Sequence, residues 1–435
     1  MQHTFLLIDF GASRIKSSVF ADGQILEVQS HNSVEPCDLK DKKFEVDILK
    51  IKEKFLSIAK SYYEKFKFEG IFICSEMHGF ALLDEKNQPI SNYISWKDER
   101  CTNQIDGVSS FELLKNKLGN TFFEKTAMKP RACYPIFNLF HLARENKINT
   151  AKVVSLPEWL CCCSNKSLNI AHSTMSAGLG FYNLYTNFFD DELIDSISER
   201  KIQLTFNKPT SNIEIGGYIE LNGVDIPIYT GVGDHQCAVL GAQNDDSSIS
   251  VNLGTGSQVA MIDLDNKICE KRPFFDNKTL SVITHIPSGR ALNHFIGFLE
   301  NINPNINFWD ELGKITLEEV KNSTLQIDLA IFESAWGYTN GGSVSNIREN
   351  EFNLKNYLAS LLNNYITQYK KAIEILAPTT KFNKIVLSGG VANKLPVIKE
   401  YLQDITGYKV ILSNNEFDET FVGLTKLAKI NKERK

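Results

Sequence analysis

The chain has 435 residues, 43% hydrophobic and 23% charged, with a formal net charge of −5, enough material for about three ordinary domains or two large ones. The acidic balance argues against a nucleic-acid partner, since the dense basic run, Lys426 to Lys435, reads as a solvated helix end. Nine cysteines without a Cys-x-x-Cys pair and eight histidines without His-x-x-x-His spacing argue against a disulfide framework or a structural metal, and no apolar run approaches the length of a membrane span. A cytoplasmic protein with reduced thiols and no membrane partner is expected.

In chain order, Phe5 to Asp9 is an apolar run ending in an acid, Gly11 marks a tight turn, and Arg14 to Phe20 continues as a strand. A β-hairpin with Asp9 at the end of its first strand is predicted. Phe44 to Phe66, with spaced Ile, Leu and Phe among Lys and Glu, predicts an amphipathic helix crossing over to a strand over Gly70 to Cys74. That strand runs into Glu76, Met77, His78 and Gly79, where His78 suits a hydrogen bond to a polar ligand and Met77 an adaptable apolar floor; packing is the plain alternative for both. Phe80 to Asp84 and Ile90 to Trp96 predict a second hairpin, followed by Asp98 and Arg100, which read equally well as a surface pair. Residues 108–165 read as helix in three pieces broken by Pro130 and Pro135, with Cys161 to Cys163 acting as small hydrophobes. Strand alternation from Ile215 with a Gly-bearing loop places a domain boundary near Asn222.

After Ile228, a strand-like run meets Gly231 and Gly233 and then Asp234, with Cys237 to Leu240 at helical spacing. An acid at a strand end on a glycine turn is exposed to a ligand, and Asp is also a preferred helix N-cap, so both roles stay open here. Ser248 to Ile262 repeats the plan of the first hairpin, with Gly254 in the place of Gly11, which suggests an internal duplication. Residues 353–376 predict a strong amphipathic helix. Lys384 to Ser388 is a strand leading through Gly389 and Gly390 into a helix start, a ligand position in open α/β sheets. A further helix from Phe417 carries Gly423, a small residue suited to close packing.

Taken together, the pieces resemble the FGGY carbohydrate kinases through most of the chain. Asp9-x-Gly11-x-x-x-x-Lys16 is similar to the family's first phosphate motif, Met77-His78-Gly79 to its sugar motif, and Trp96-x-Asp98-x-Arg100 to the neighbouring one. Gly233-Asp234 resembles the catalytic-base segment, Asn252-Leu253-Gly254-Thr255-Gly256 the second phosphate motif, and Ser388 to Asn393 the adenosine motif. The chain departs from the pattern at Ala12, where Thr is usual, and at Glu76, where xylulose kinases usually have Gln.

The resemblance implies an α/β fold of two ribonuclease-H-like (actin-like ATPase) domains with a cleft between them, residues 1–222 binding sugar and 223–435 carrying the catalytic base and the ATP site. It implies transfer of phosphate from ATP to a ketose hydroxyl, sedoheptulose first. D-xylulose, or a catalytically impaired sugar- or nucleotide-binding member, are the alternatives. Asp234 would be the catalytic base. Met77, His78, Asp98 and Arg100 would shape the sugar site, and Gly11, Ser13, Lys16, Gly254, Thr255, Gly256, Gly389, Gly390 and Asn393 would hold the nucleotide. Asp9 would hold Mg²⁺. The small-molecule partners are the ketose and ATP, and the resemblance leaves room for a homodimer.

Overall fold

The computed structural model describes residues 3–163, 166–198, 202–242, 245–254, 256–264, 268–332, 336–413 and 416–433. They fall into two units. The first is built from Met1–Gly241, Lys271–Lys278 and Asn415–Lys435, the second from Ala242–Glu270 and Thr279–Asn414.

The first unit is centred on a sheet whose first strands are β1 (Thr4–Phe10), β2 (Arg14–Ala21) and β3 (Gln24–Asn32), paired antiparallel. The hairpin register sets Asp9 opposite Lys16. Helix α1 (Ile48–Phe66) begins at Asp47, whose carboxylate accepts from the amides of Leu49 and Lys50, a cap that contributes about 1 kcal/mol. Ile51, Phe55, Ile58 and Tyr62 lie three or four residues apart, so they share the buried face. The helix returns the chain to β4 (Ile71–Ser75), parallel to β1. The hairpin β5 (Ile215–Leu221) and β6 (Val224–Tyr229) and the short β7 (Val232–Gly233) complete the sheet, in the order β5-β6-β4-β1-β2-β3 with β7 also on β4.

Two expectations change here. The boundary near Asn222 falls in the turn of the β5-β6 hairpin, where Leu221 pairs with Val224. Dividing the chain there would strip β6 from the sheet, and the first unit instead continues to Gly241, taking Asp234 with it. The hairpin expected from Phe80 to Trp96 is reduced to isolated bridges, Phe80 with Ile94 and Leu83 with Pro89. Ala81–Leu83 pairs instead with Thr150–Val154, a strand inside the stretch read as helical.

The second unit repeats the plan. Strands β8 (Ser248–Leu253), β9 (Ser257–Ile262) and β10 (Thr279–Ile286) are antiparallel, and β11 (Lys384–Ser388) and β12 (Lys409–Leu412) follow in parallel beside β8. The path β10-β9-β8-β11-β12 matches β3-β2-β1-β4-β6 strand for strand, so the duplication suggested by two glycine hairpins extends to the topology. The helix Leu354–Leu376 occupies the crossover that α1 occupies in the first unit, and buries Leu358, Leu361, Tyr365, Tyr369 and Leu376. None of the described helices is long and apolar enough to cross a membrane.

Helix α2 (Asp234–Gly241) packs against the helix Glu419–Glu433 at close range, and two glycines make this contact. A Cβ on Gly423 would stand 2.1 Å from the carbonyl oxygen of Cys237, and one on Gly241 would stand 1.8 Å from that of Glu419. Backbone cannot yield as a side chain can. Gly423→Ala is therefore expected to destabilise the protein by about 1–3 kcal/mol, read as a lower urea midpoint. An unchanged midpoint would show that the helices do not need this contact.

Candidate active site

Three elements of the first unit deliver acids to one region. Asp9 ends β1, Glu76 follows β4, and Asp234 opens α2 directly after β7, which lies beside β4. The strand-end positions follow from the parallel pairing of β1 with β4 and of β4 with β7, which brings the carboxyl ends of three strands level. Burial, reinforced by the neighbouring charge of Asp418, raises Asp9 to about 6. Burial with the charge of Asp9 raises Asp234 to about 7, and burial raises Glu76 to about 7 although Tyr93 hydrogen-bonds it. Asp234 therefore feels both other acids as well as its seclusion from water.

Asp9 Oδ2 accepts a hydrogen bond from Thr420 Oγ1 at 3.0 Å, while its Oδ1 is buried without a partner beyond the weak thiol of Cys74. Lys16 is ion-paired with Asp418. Burial pulls the Lys16 ammonium down, yet Asp418 carries it above its ordinary value; the same pair holds Asp418 low against its own burial. Thr420 Oγ1 also lies 2.9 Å from Asp418 Oδ1, so its one proton serves either carboxylate, and the hydroxyl ties the first hairpin to the 419–433 helix. In the turn itself the Gly11 amide closes onto the Arg14 carbonyl at 3.1 Å, and Ser13 is exposed. An orphaned, buried carboxylate oxygen beside a lysine suits a hydrated divalent cation bound together with phosphate. Mg²⁺ uses one or two carboxylates plus waters and phosphates. Among the described residues no group of three or more His, Cys, Asp or Glu side chains is placed to hold a metal ion.

A second group of polar side chains surrounds Asp234. Its Oδ1 accepts from the His235 amide at 2.7 Å, so the acid does cap its own helix locally, while it keeps some accessible surface. Met77 is buried against Gly233, and His78, in a left-handed backbone conformation at φ 67°, sets Nδ1 2.9 Å from the Gly178 carbonyl and its ring 4.6 Å from that of Tyr134. Burial and the nearby Arg272 push His235 well down, so it is neutral, and both of its ring nitrogens are buried without partners. Gln236 Oε1 and Arg272 Nε are orphaned in the same way. Unsatisfied buried polar atoms are rare in a folded protein and cost about 1–3 kcal/mol each. Their concentration beside a half-buried acid marks a place for a ligand rich in hydroxyl groups.

Asp98 and Arg100 are arranged otherwise than expected for sugar contacts. Arg100 Nε and Nη2 grip the two oxygens of Asp98 at 2.8 and 2.6 Å, and Nη2 also reaches Glu45 at 2.7 Å. Asp98 further accepts from the Phe44 amide at 2.6 Å and is fully enclosed. Arg100 Nε and Nη2 and both oxygens of Asp98 are engaged within this anchor, which fixes the loop bearing Trp96 and Lys97. The pair is buried and bidentate, not the surface pair that was the other reading.

In the second unit the glycine motifs converge. The Gly254 amide donates to the Gly256 carbonyl at 3.1 Å, and the Gly289 amide donates to the Gly254 carbonyl at 3.1 Å. Asn252 Nδ2 donates to Ser388 Oγ at 3.0 Å across the parallel β8-β11 pair. Gly389 has φ 92°, and a Cβ there would stand 2.5 Å from the Leu253 carbonyl oxygen, so no other residue fits the turn. Gly390 and Asn393 are exposed on the short helix Gly390–Lys394. Thr255 lies outside the described residues. Gly289 belongs to this group. Arg272, Tyr134, Asp418 and Thr420 are the members of the first unit's site that sequence reasoning did not assign; their contacts reach over tens to hundreds of residues and leave no local pattern.

Residues 4–241 match the FGGY family of carbohydrate kinases, N-terminal domain. Glycerol kinase 2 of Saccharolobus solfataricus is 24% identical over 229 residues, covering 51% of this chain and 44% of its own length. Rhamnulokinase of Bacillus subtilis is 26% identical over 269 residues, covering 59% and 49%. The chain thus spans about half the length of these curated relatives, or less. Among solved structures, gluconate kinase from Lactobacillus acidophilus aligns with a TM-score of 0.85 at 18% identity, and xylulose kinase from the same organism with 0.84 at 19%, each covering 100% of this chain and 90% of the other. At that identity the likeness shows the fold, the two-domain α/β architecture of the actin-like sugar kinases. The family match over residues 4–241 takes in more than half of the sequence, and the chain belongs to the FGGY family of carbohydrate kinases.

Proposed function

We propose that the chain is an ATP-dependent sugar kinase acting on a ketose hydroxyl, sedoheptulose first and D-xylulose second. The observation that carries this reading is the group of orphaned polar atoms on His235, Gln236 and Arg272 around Asp234, beside the Asp9 and Lys16 hairpin. Asp234 takes the proton of the acceptor hydroxyl as its oxygen bonds to the γ-phosphorus; the bond from that phosphorus to the bridging oxygen breaks, and ADP leaves. Such transfers depend chiefly on positioning and charge stabilisation. Met77 and His78 shape the acceptor's surroundings, and Asp98 and Arg100 act indirectly by fixing the loop of Trp96. Gly11, Ser13, Lys16, Gly254, Thr255 and Gly256 attend the phosphates, and Gly389, Gly390 and Asn393 take the adenosine. Mg²⁺, when bound at Asp9, supplies charge neutralisation for the phosphates.

Supporting this reading, a hydroxyl proton acceptor needs a carboxylate that is ionised near neutral pH but not strongly stabilised, and Asp234 is held at about 7. The test is ADP release coupled to a dye over sedoheptulose, D-xylulose, ribulose and fructose. One ketose is expected to drive ATP consumption well above the sugar-free rate. If no ketose raises that rate, the kinase reading fails.

A further inference from the structure

Arg272 is 6% exposed, and its guanidinium Nε is buried without a hydrogen-bond partner. The segment that carries it, Lys271–Lys278, is set into the first unit. The Lys271 amide donates to the Ala127 carbonyl at 3.0 Å, Gln236 Nε2 reaches the Pro273 carbonyl at 3.5 Å, and Phe275 stands with its ring 5.6 Å from that of His172. Packing therefore holds Arg272 beside Asp234 and His235, both of which feel its charge. A buried cation with an N–H left without a partner is costly. A guanidinium also has five N–H donors in a planar fork and no acceptor. The ligand that resolves both facts offers a strong, planar oxygen acceptor, and the group it meets is already surrounded by the neutral imidazole of His235 and the acceptor Oε1 of Gln236, which suit hydroxyls.

We infer that Arg272 is a specificity residue that reads a planar oxygen group on the phosphoryl acceptor, the ketone of an open-chain ketose or the carboxylate of an aldonate, and so discriminates against simple alditols. This rests on the kinase reading for the chemistry, but not for the binding. A hydroxyl in the same place accepts weakly and must also dispose of its own proton, whereas a ketone or carboxylate accepts two donors outright. Sites built to hydrogen-bond a substrate group reject analogues that lack it far more strongly than apolar pockets do.

The experiment compares D-xylulose, xylitol and D-xylonate, which differ at the oxidised carbon, in wild type, Arg272→Met and Arg272→Lys. Steady-state ADP release and calorimetric binding are both measured. In wild type, the ketose or the aldonate is expected to be preferred over xylitol. Arg272→Met is expected to lower kcat/KM for that preferred acceptor about 100-fold, mainly through KM, with xylitol changed less than about threefold. Recovery in Arg272→Lys for the aldonate points to charge and the carboxylate, and its absence for the ketose to the planar fork. Because Arg272→Met removes a buried N–H that has no partner, its Tm is expected to equal or exceed that of wild type; a merely structural arginine would lower it. If Arg272→Met keeps the wild-type ratio of planar acceptor to xylitol, or if wild type shows no such preference in either assay, the inference is overturned. If wild type binds the planar acceptor through Arg272 but releases no ADP, the kinase reading fails and this one stands.

Discussion

Asp234→Asn is expected to lower kcat by ~10²–10⁴, the usual contribution of a positioned general base, with little change in sugar KM. The amide keeps the shape and the bond to the His235 amide, so the helix start survives while the proton acceptor is lost. A variant with near-normal kcat would remove Asp234 from that role. The pH dependence follows from the same residue. Burial and Asp9 hold Asp234 at about 7, so the base ionises, and activity rises, as pH passes through 7. Stability is expected to run the other way. Asp9, Glu76 and Asp234 all have folded values above those of an unfolded chain, near 4. The native state therefore holds their protons longer, and the stability this provides is full below about pH 4 and lost as pH rises through 6 to 7. Urea midpoints at pH 5 and pH 8 read that component, and its absence in Asp234→Asn would assign part of it.

Arg100→Met is expected to destabilise the protein by about 3–5 kcal/mol, because it leaves the enclosed carboxylate of Asp98 without its counter-charge. Glu45 loses the same partner at a more exposed position. The corresponding fall in Tm is on the order of 10 °C for a domain of this size. Two outcomes separate anchor from sugar ligand. An anchor gives a large loss of stability, and replacing Arg100 and Asp98 together by apolar residues restores part of it. A direct ligand gives a raised sugar KM at wild-type Tm, and no such restoration.

The legible parts of this protein are those whose signals are local. The Asp9 to Lys16 register follows from one tight hairpin, the place of Asp234 from a strand, two glycines and a helix start, and the second unit's glycine turn from Gly389 after a strand. Gly423 was readable as a packing residue because a glycine inside a helix has to be explained by proximity. Asp98 and Arg100 misled because an i, i+2 acid and base look the same whether the pair is solvated or enclosed; the difference lies in Glu45 and the Phe44 amide. The boundary at Asn222 failed because a hairpin turn and a linker share polar and glycine residues, and only the pairing of β6 with β4 tells them apart. Arg272 is placed by packing of Lys271–Lys278, and nothing in its own neighbourhood announces that.

The contact from Thr420 to Asp9 spans 411 residues of sequence. Synthesis therefore leaves the first hairpin waiting: the strand that carries Asp9 is made long before Asp418 and Thr420, which follow the whole second unit. Until the segment with Asp418 and Thr420 has emerged and docked, Lys16 lacks its acid and Asp9 its hydroxyl. A partly synthesised or truncated chain would consequently display the first hairpin with the charges of Asp9 and Lys16 unassigned until translation has passed the segment that completes it.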